Sequence, residues 1–151
     1  MRVVIQRSKN ASVSIDNKIK GKIDYGLVLL VGFTHTDTVK EIDFLIDKII
    51  NLRIFDDEKG IMNKSLLDVN ANILSISQFT LYANTNSGRR PSYIDAMKAE
   101  EATKLYDLFN QKLKDKNINV QTGVFGANMQ VNLINDGPVT IILERGVNDG
   151  K

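Results

Sequence analysis

The sequence predicts a single mixed α/β domain in which strands and two amphipathic helices share one hydrophobic core. The chain has 151 residues, 42% of them hydrophobic and 25% charged, which is typical of one globular domain. Segments that alternate between apolar and polar residues occur before and after two segments with helical spacing. Because no repeat or linker divides the chain, we predict one domain over residues 1–145 and a frayed tail over residues 146–151.

The first 31 residues are predicted to form β-structure. Residues 2–7 are rich in β-branched side chains, and residues 11–15 alternate between apolar and polar. Asp16-Asn17 indicates a turn, so residues 11–15 and 18–23 are expected to pair as a hairpin whose lysines face solvent. Residues 27–31 are apolar on both faces, which is typical of a central strand covered by layers above and below.

Two segments have the pattern of amphipathic helices. Thr38 and Glu41 have the spacing of a capping box, and the apolar residues after them recur at helical intervals. The second helix is predicted to end near residues 116–117. Its apolar positions are Ala102, Leu105, Tyr106, Phe109 and Leu113. Between the helices, residues 53–55 predict a short strand that enters an acidic turn at residues 56–60.

The second half of the chain contains further strands. Residues 73–81 predict a strong strand, and strict alternation would place Gln78 and Thr80 on one of its faces and Ser77 and Phe79 on the other. A flexible basic loop follows at residues 84–92. Three more strands are predicted at residues 120–125, 129–134 and 139–143, with a break at Asn135-Asp136-Gly137-Pro138.

The composition excludes several kinds of site and enzyme. The chain has no cysteine and one histidine, so disulfides, thiolate zinc sites and multi-histidine metal cages are excluded. His35 has no catalytic partner in the sequence and is expected to be structural or on the surface. The acidic turn lacks the alternating ligands of a calcium loop, and no glycine-rich phosphate loop is present.

The charge and the hydropathy pattern indicate where the protein acts. The formal net charge is +2, too small for the overall field to drive nucleic-acid binding, so any RNA contact requires a local patch. No apolar run is long enough to span a bilayer, and no signal-peptide core precedes the first strand. We therefore expect a soluble, cytoplasmic protein.

Two segments are unusual for the structures predicted around them. One is Ser77-Gln78-Phe79-Thr80, whose polar groups must find partners if the strand is buried, and the other is Asn135-Asp136-Gly137-Pro138. Taken alone, they are consistent with hydroxyl groups bonded to nearby backbone and with a simple turn. A Gly-Pro bond can also be cis at low cost, which would set two carbonyl groups side by side where they could accept hydrogen bonds from an ammonium group.

These segments resemble a known family. Ser77-Gln78-Phe79-Thr80-Leu81 and Asn135-Asp136-Gly137-Pro138-Val139-Thr140 are similar to the two signature motifs of the D-aminoacyl-tRNA deacylases, in the expected order and separation. Leu52-Arg53-Ile54-Phe55, Gly88-Arg89-Arg90-Pro91-Ser92 and Phe125-Gly126-Ala127-Asn128-Met129 resemble the same family. The resemblance covers nearly the whole chain, and ordered landmarks of this kind make chance a poor explanation.

The resemblance implies a three-layer α/β/β homodimer that hydrolyses the ester between a D-amino acid and the terminal adenosine of tRNA, with no cofactor and no metal. The Gly137-Pro138 bond is expected to be cis and to enter the site of the partner protomer, where its carbonyl groups hold the substrate ammonium and occupy the space an L side chain needs. A glycyl ester has no side chain for this segment to exclude and should therefore also be a substrate. Arg7 resembles the residue that braces the segment. Phe125 and Met129 match pocket positions, with core packing as the alternative.

The resemblance also implies a mechanism. A Thr80 nucleophile would need an adjacent base, and neither His nor Cys is available, so we favour backbone N–H groups near Phe79 and Thr80 as an oxyanion hole. The adenosine 2′-hydroxyl would assist water attack, and Ser77 and Gln78 would orient the RNA and the backbone.

For tRNA contact, Arg89 and Arg90 are the leading candidates. The chain departs from the family at the uncharged Asn84-Thr85-Asn86-Ser87 and at Tyr93, which replaces the commoner Phe. Two alternatives stay open at this stage. One is a non-catalytic tRNA-binding module, and the other is a small-molecule esterase with Thr80 or Ser77 as its nucleophile.

Overall fold

The computed structural model describes residues 1–146. The predicted tail over residues 146–151 therefore lies outside the described residues, apart from Gly146. The strands and helices follow in the order β1 (Arg2–Ile15), β2 (Lys18–Gly32), α1 (Val39–Asn51), β3 (Phe55–Asp56), β4 (Met62–Lys64), α2 (Leu66–Val69), β5 (Asn72–Ser77), a 3-10 helix (Phe79–Tyr82), α3 (Ala99–Lys114), β6 (Val120–Thr122) and β7 (Gln130–Glu144).

Within the described residues, five strands form one mixed sheet in the order β6-β5-β2-β1-β7. β1 pairs antiparallel with β2 and β7, whereas β5 pairs parallel with β2 and β6. The two longer helices, α1 and α3, are the predicted amphipathic helices. The predicted mixed α/β class is confirmed, and residues 27–31 lie in a central strand, as their apolar faces predicted.

The first hairpin is longer and more continuous than predicted. Residues 2–7 and 11–15 belong to a single strand, as do residues 18–23 and 27–31. The strand continues through residues 8–10, where Asn10 adopts φ 49° and the pairing with β7 shifts its register between Lys9 and Ser12. The predicted turn is confirmed, because Asp16 and Asn17 have φ of 49° and 62°, as two-residue hairpin turns require.

The larger apolar core lies between the helices and one face of the sheet. Thr38 caps α1, and Glu41 completes the predicted capping box. Ile5 of β1 and Leu29 of β2 are fully buried in this core with Phe109 of α3. Burial of apolar side chains of this size is the dominant stabilising term in a domain.

A smaller apolar cluster covers the other face of the sheet. It joins Ala11 and Val13 in the outer half of β1 to Val28 and Leu74 in the inner strands, and Met129 and Val131 pack against it. The long strands β1, β2 and β7 therefore fold back over the sheet as a second β-layer, as expected for an α/β/β arrangement. Their bulges permit this bend.

The strand predictions after the hairpin were wrong in their boundaries. β3 covers Phe55–Asp56, where residues 53–55 were predicted. β5 ends at Ser77 and does not reach residue 81, because the chain enters a 3-10 helix at Phe79. The strict alternation expected across residues 77–80 is therefore absent. β6 ends at Thr122. β7 continues through Asn135-Asp136-Gly137-Pro138, where a break was predicted, but its pairing with β1 is interrupted opposite Arg7.

The acidic segment after β3 forms a turn closed by its own side chain. Asp57 accepts hydrogen bonds from the backbone N–H groups of Lys59 and Ile61, at 2.8 Å and 3.0 Å. These bonds lower the pKa of the Asp57 carboxyl group.

Among residues 1–146, no group of three or more His, Asp or Glu residues is placed to hold a metal ion. No helix in this part of the chain is long and apolar enough to cross a membrane.

Candidate functional site

A cleft of about 250 Å³ lies between the end of β5 and the segment that connects β6 to β7. Two of the landmark segments of the sequence form its walls. One wall is made by Ile76, Ser77, Gln78 and Phe79, and the other by Phe125, Gly126, Ala127, Asn128, Met129 and Val131. The structure thus brings together residues that are about 50 positions apart in the sequence, as the pairing of β5 with β6 requires.

The first wall is formed where β5 ends. Gln78 leaves the strand with φ −146° and ψ 81°, and its N–H donates to the carbonyl oxygen of Val31 at 2.8 Å. The next residues form a single 3-10 turn that packs closely on the end of β2. A Cβ atom on Gly32 would lie 2.9 Å from the Gln78 carbonyl oxygen and 3.2 Å from Leu81 Cβ. Only glycine permits this approach.

The start of the 3-10 helix leaves backbone donors free. The N–H groups of Phe79 and Thr80 donate to no acceptor within residues 1–146, because the first residues of a helix have no preceding carbonyl group in reach. Leu81 N–H is the first to bond back, to the Gln78 carbonyl oxygen at 3.3 Å. Backbone N–H groups without an acceptor in the protein can polarise an ester carbonyl group.

The predicted catalytic residues lie together at this turn. Ser77, Gln78 and Phe79 line the cleft, and Thr80 follows in the 3-10 helix. Gln78 Nε2 donates to Thr80 Oγ1 at 2.5 Å, so the threonine hydroxyl is already an acceptor. No ionisable side chain lines the cleft in the described part of the chain. His35 is exposed at another place, with Nε2 2.6 Å from the Ile94 carbonyl oxygen.

Phe125 and Met129 lie in the second wall of the cleft, and both also pack against the apolar cores. Phe125 packs against the ring of Tyr106, with ring centroids 5.9 Å apart. Met129 packs beside Gly123, on which a Cβ atom would lie 2.4 Å from the methionine sulfur. Pocket lining and core packing, which the sequence analysis set against each other, are therefore compatible for these two side chains.

A second, more apolar cleft adjoins the first and was missed by the sequence analysis. It has a volume of about 400 Å³ and shares Phe79, Phe125 and Gly126 with the first cleft. Its remaining walls include Tyr93 and Met97. The rings of Phe79 and Tyr93 meet edge to face with centroids 5.1 Å apart, and the two residues are 55% and 40% exposed. The signal that could have indicated this cleft is a pair of aromatic residues, Phe79 near the end of a predicted strand and Tyr93 in the segment before the second predicted helix.

The Gly137-Pro138 segment lies elsewhere on the chain. Its peptide bond is cis, as the resemblance implied, and both residues are exposed and do not line the cleft of their own chain. Asn135 holds the segment from one side, with Oδ1 accepting from Val139 N–H at 3.0 Å. Gly137 has φ 135°, and a Cβ atom there would lie 2.8 Å from Val139 Cγ2, so this position requires glycine.

Arg7 anchors this segment from below. Its side chain is 7% exposed. Nε donates to the Asp136 carbonyl oxygen at 3.0 Å, and Nη1 donates to the Ile54 carbonyl oxygen at 2.8 Å and to Asp56 Oδ1 at 3.1 Å. Burial raises the pKa of the Tyr25 hydroxyl, which the Arg7 charge only partly offsets. Tyr25 is therefore neutral at physiological pH.

The predicted tRNA contacts, Arg89 and Arg90, lie on the exposed loop between Asn84 and Ser92. The two ends of this loop are joined by paired backbone hydrogen bonds of 2.8 Å and 2.9 Å. Neither arginine forms an ion pair within residues 1–146 or lines the cleft. The guanidinium groups are thus exposed to solvent on a closed loop.

Comparison with known proteins gives consistent results. The model of the family described as D-Tyr-tRNA(Tyr) deacylase matches residues 4–144. Relatives from Brevibacillus brevis (strain 47) and Bacillus cereus (strain B4264), both named D-aminoacyl-tRNA deacylase, are each 57% identical over 144 residues, which is 95% of this chain and 99% of the relative.

Two solved structures share the fold. The c-Myc DNA unwinding element binding protein superposes with a TM-score of 0.91 at 39% identity, over 97% of this chain and 100% of that one. A structure described as a probable eukaryotic D-amino acid tRNA deacylase has a TM-score of 0.80 at 17% identity, over 94% of this chain and 97% of that one. At this lower identity, the second match establishes the fold alone.

Replacement of Arg7 tests the anchor of the Gly137-Pro138 segment. We expect Arg7→Met to lower the free energy of unfolding by about 3 kcal/mol, because buried carbonyl groups and Asp136 lose a charged donor. Urea unfolding measures the effect. Lys9→Met is the matched control, since Lys9 Nζ lies 3.3 Å from Asp136 Oδ1 but its side chain is 53% exposed, and it should cost less than about 1 kcal/mol. Equal losses would contradict the assignment of Arg7 as the main anchor.

Proposed function

The chain belongs to the D-Tyr-tRNA(Tyr) deacylase family, and on this premise we propose that it hydrolyses the ester between a D-amino acid and the terminal adenosine of tRNA. The products are the free D-amino acid and tRNA, so that mischarged tRNA returns to translation in the cytoplasm. The observation that carries the proposal is the cleft at the end of β5. Its walls hold no ionisable side chain among the described residues, and they include Phe79, whose N–H, like that of Thr80 next to it in the turn, has no acceptor within residues 1–146.

The chemistry of this cleft favours polarisation over nucleophilic catalysis. In our proposal the N–H groups of Phe79 and Thr80 bind the ester carbonyl oxygen and stabilise the negative charge that develops when water attacks. The 2′-hydroxyl group of the terminal adenosine assists that attack, which would also make the reaction specific for RNA. Gln78 holds Thr80 through its amide group, and with Ser77 it keeps the turn in position.

The terminal adenosine would occupy the apolar cleft beside the first one. Phe79 and Tyr93 present exposed rings there, and an unpaired base stacks readily on aromatic side chains. Since the two clefts share Phe79, Phe125 and Gly126, a nucleoside in the second cleft would place its ester at the entrance of the first. Phe125 and Met129 would then contact the amino acid, and Arg89 and Arg90 would contact tRNA phosphates.

Selection of the D enantiomer is assigned to the Gly137-Pro138 segment. Its carbonyl groups would hold the substrate ammonium and leave no room for an L side chain. Arg7 and Asn135 both hold the segment in place, so it would yield little to a larger substrate. Glycine has no side chain to exclude, and glycyl-tRNA is therefore expected to be a substrate as well.

A homodimer would complete the site. The Gly137-Pro138 segment is exposed and does not line the cleft of its own chain, so we propose that it enters the cleft of a second protomer related by two-fold symmetry. β7, which carries the segment, is an edge strand in the described part of the chain, and its Ile134 and Ile142 are 54% and 65% exposed. A long edge strand with exposed apolar side chains is a surface that proteins usually cover.

A nucleophilic esterase on the same fold is the weaker candidate. Thr80 or Ser77 would need an adjacent base, and the cleft offers none among its lining residues in the part of the chain that the structure describes. A non-catalytic tRNA-binding module would need no free N–H pair at all. Both alternatives are distinguished from the deacylase by the experiments below.

The first test compares matched substrates. With tRNA carrying D-tyrosine, L-tyrosine or glycine, we expect hydrolysis of the D-tyrosyl and glycyl esters and at least about 100-fold slower hydrolysis of the L-tyrosyl ester. Release of the labelled amino acid measures the three rates. Equal rates for both enantiomers would contradict the proposal, and salt-dependent tRNA binding without hydrolysis would indicate the binding module instead.

The second test removes one backbone donor. Phe79→Pro and Phe79→Ala both lose the aromatic ring, but only proline lacks the N–H, and proline is tolerated at the first position of a helix. We expect kcat for the D-ester to be about 100-fold lower in Phe79→Pro than in Phe79→Ala. Equal kcat values in two equally stable variants would mean that the Phe79 N–H takes no part in the reaction.

Thr80→Ala tests the esterase alternative. We expect this variant to keep most of the wild-type activity and to show no acyl-enzyme burst, whereas a Thr80 nucleophile requires that the activity be lost.

The third test asks whether the site is shared. Pro138→Glu places a long charged side chain on the exposed segment and should abolish turnover, whereas Phe79→Pro should leave about a hundredth of the activity of Phe79→Ala. Co-expression of the two variants should restore about a quarter of the wild-type activity, because roughly half of the dimers are mixed and each mixed dimer holds one unaltered site. If the segment served the cleft of its own chain, both sites of a mixed dimer would be defective, and no activity would return.

A further inference from the structure

Arg2 joins three parts of the fold beside the turn that follows β5. Its Nη1 donates to the Leu81 carbonyl oxygen at 2.5 Å, and its Nη2 donates to Glu144 Oε1 at 2.6 Å. The guanidinium carbon lies 4.8 Å from the centroid of the Tyr82 ring. Arg2 and Glu144 are also direct partners in the pairing of β1 with β7. One side chain thus connects β1, β7 and the 3-10 helix.

The 3-10 helix depends on such tethers because it is a single turn. A helix of this length has few hydrogen bonds of its own, and the carbonyl groups of its last residues have no partner within it. Its N-terminal side is held by the bond from Gln78 N–H to the Val31 carbonyl oxygen. At its C-terminal side, Leu81 carbonyl accepts from Arg2. The free N–H groups of Phe79 and Thr80 lie between these two attachments.

We propose that Arg2 is a positioning residue for the hydrolysis, which holds the 3-10 helix so that the N–H groups of Phe79 and Thr80 keep their direction at the cleft. This inference rests on the proposed function, since it assigns those N–H groups to the ester carbonyl. Arg2 does not line the cleft, and it acts from the end of the turn opposite to the one that borders the cleft. It therefore influences the reaction through the backbone and without contact with the substrate.

The chemistry of arginine suits this role better than that of lysine. A planar guanidinium group donates to two acceptors at fixed angles and stacks on an aromatic ring at the same time. The hydrogen bond with Glu144 raises the pKa of Arg2 further above its usual value, so the side chain stays charged at any pH at which the enzyme works. A lysine could bond Leu81 or Glu144, but it could not hold both and stack on Tyr82.

The first experiment separates positioning from binding. We expect Arg2→Met to lower kcat for the D-ester about 10-fold, because a misdirected donor loses part of its effect on the transition state. The KM for D-aminoacyl-tRNA should stay within about two-fold, since Arg2 does not contact the substrate. Arg53→Met is the matched control. Arg53 also donates to a backbone carbonyl group, that of Asn63 at 2.8 Å. It is exposed and belongs to neither wall of the cleft, so the kcat of the Arg53→Met variant should equal that of the wild type.

The second experiment tests whether Arg2 acts through the Phe79 amide. We expect Arg2→Met to cost about 10-fold in kcat when it is combined with Phe79→Ala, which keeps the N–H. The cost should be at most about three-fold in combination with Phe79→Pro, which lacks the N–H, because residues that act through one group are not additive. Equal costs in the two backgrounds would overturn the proposal. Arg2→Lys should recover part of the loss, since it retains one donor for Leu81.

The remaining outcomes are also decisive. If wild-type protein does not hydrolyse the D-ester, the proposed function fails. If wild-type protein is active and Arg2→Met has the same kcat, only the inference about Arg2 fails. A higher KM with unchanged kcat would mean that Arg2 contacts tRNA directly and would also overturn the inference. Thermal unfolding of each variant, with rates measured well below its midpoint, separates a change in kcat from a loss of folded protein.

Discussion

The early end of β5 is the constraint on which the site depends. The strand stops at Ser77 because Gln78 turns away while its N–H stays bonded to Val31. A 3-10 turn then follows, packed on β2 at a distance that only Gly32 permits. A turn that begins directly after a strand leaves its first amides without partners. Among residues 1–146 the cleft is lined by no ionisable side chain, and under the proposed function these amides act on the carbonyl group of the ester.

A second constraint divides the site between two surfaces. Arg7 is buried and charged, so it needs partners, and it finds them in the carbonyl groups of Ile54 and Asp136. These bonds fix the Gly137-Pro138 segment on β7, away from the cleft of its own chain. The part that would recognise the substrate ammonium and the part that would polarise the ester are therefore held by different elements. Under the proposed function, only association of two chains joins them.

Local chemistry explains which sequence predictions were confirmed. The capping box of Thr38 and Glu41 predicted the start of α1, and Asp16-Asn17 predicted the hairpin turn, because both depend on residues within four positions of one another. The strand over residues 73–81 was drawn too long. Its pattern of apolar and polar residues does not reveal that Gln78 bonds to β2 and that the chain then leaves the sheet. Tyr93 was noted only as a departure from the family, although its ring packs edge to face on that of Phe79 and lines the second cleft.

The fold class and the two amphipathic helices could be predicted from the residues alone, because spacing and capping act over short stretches of chain. The segments that form the walls of the cleft were identified by their resemblance to a family. Three features could be recognised only in the folded chain: the walls at Ser77 and Phe125 enclose one cleft, the N–H of Phe79 has no acceptor within residues 1–146, and Gly137-Pro138 does not line that cleft. Each of these depends on contacts between residues far apart in the chain, such as Arg2 with Leu81 and Arg7 with Ile54. Packing in three dimensions determines such contacts, and no local pattern encodes them.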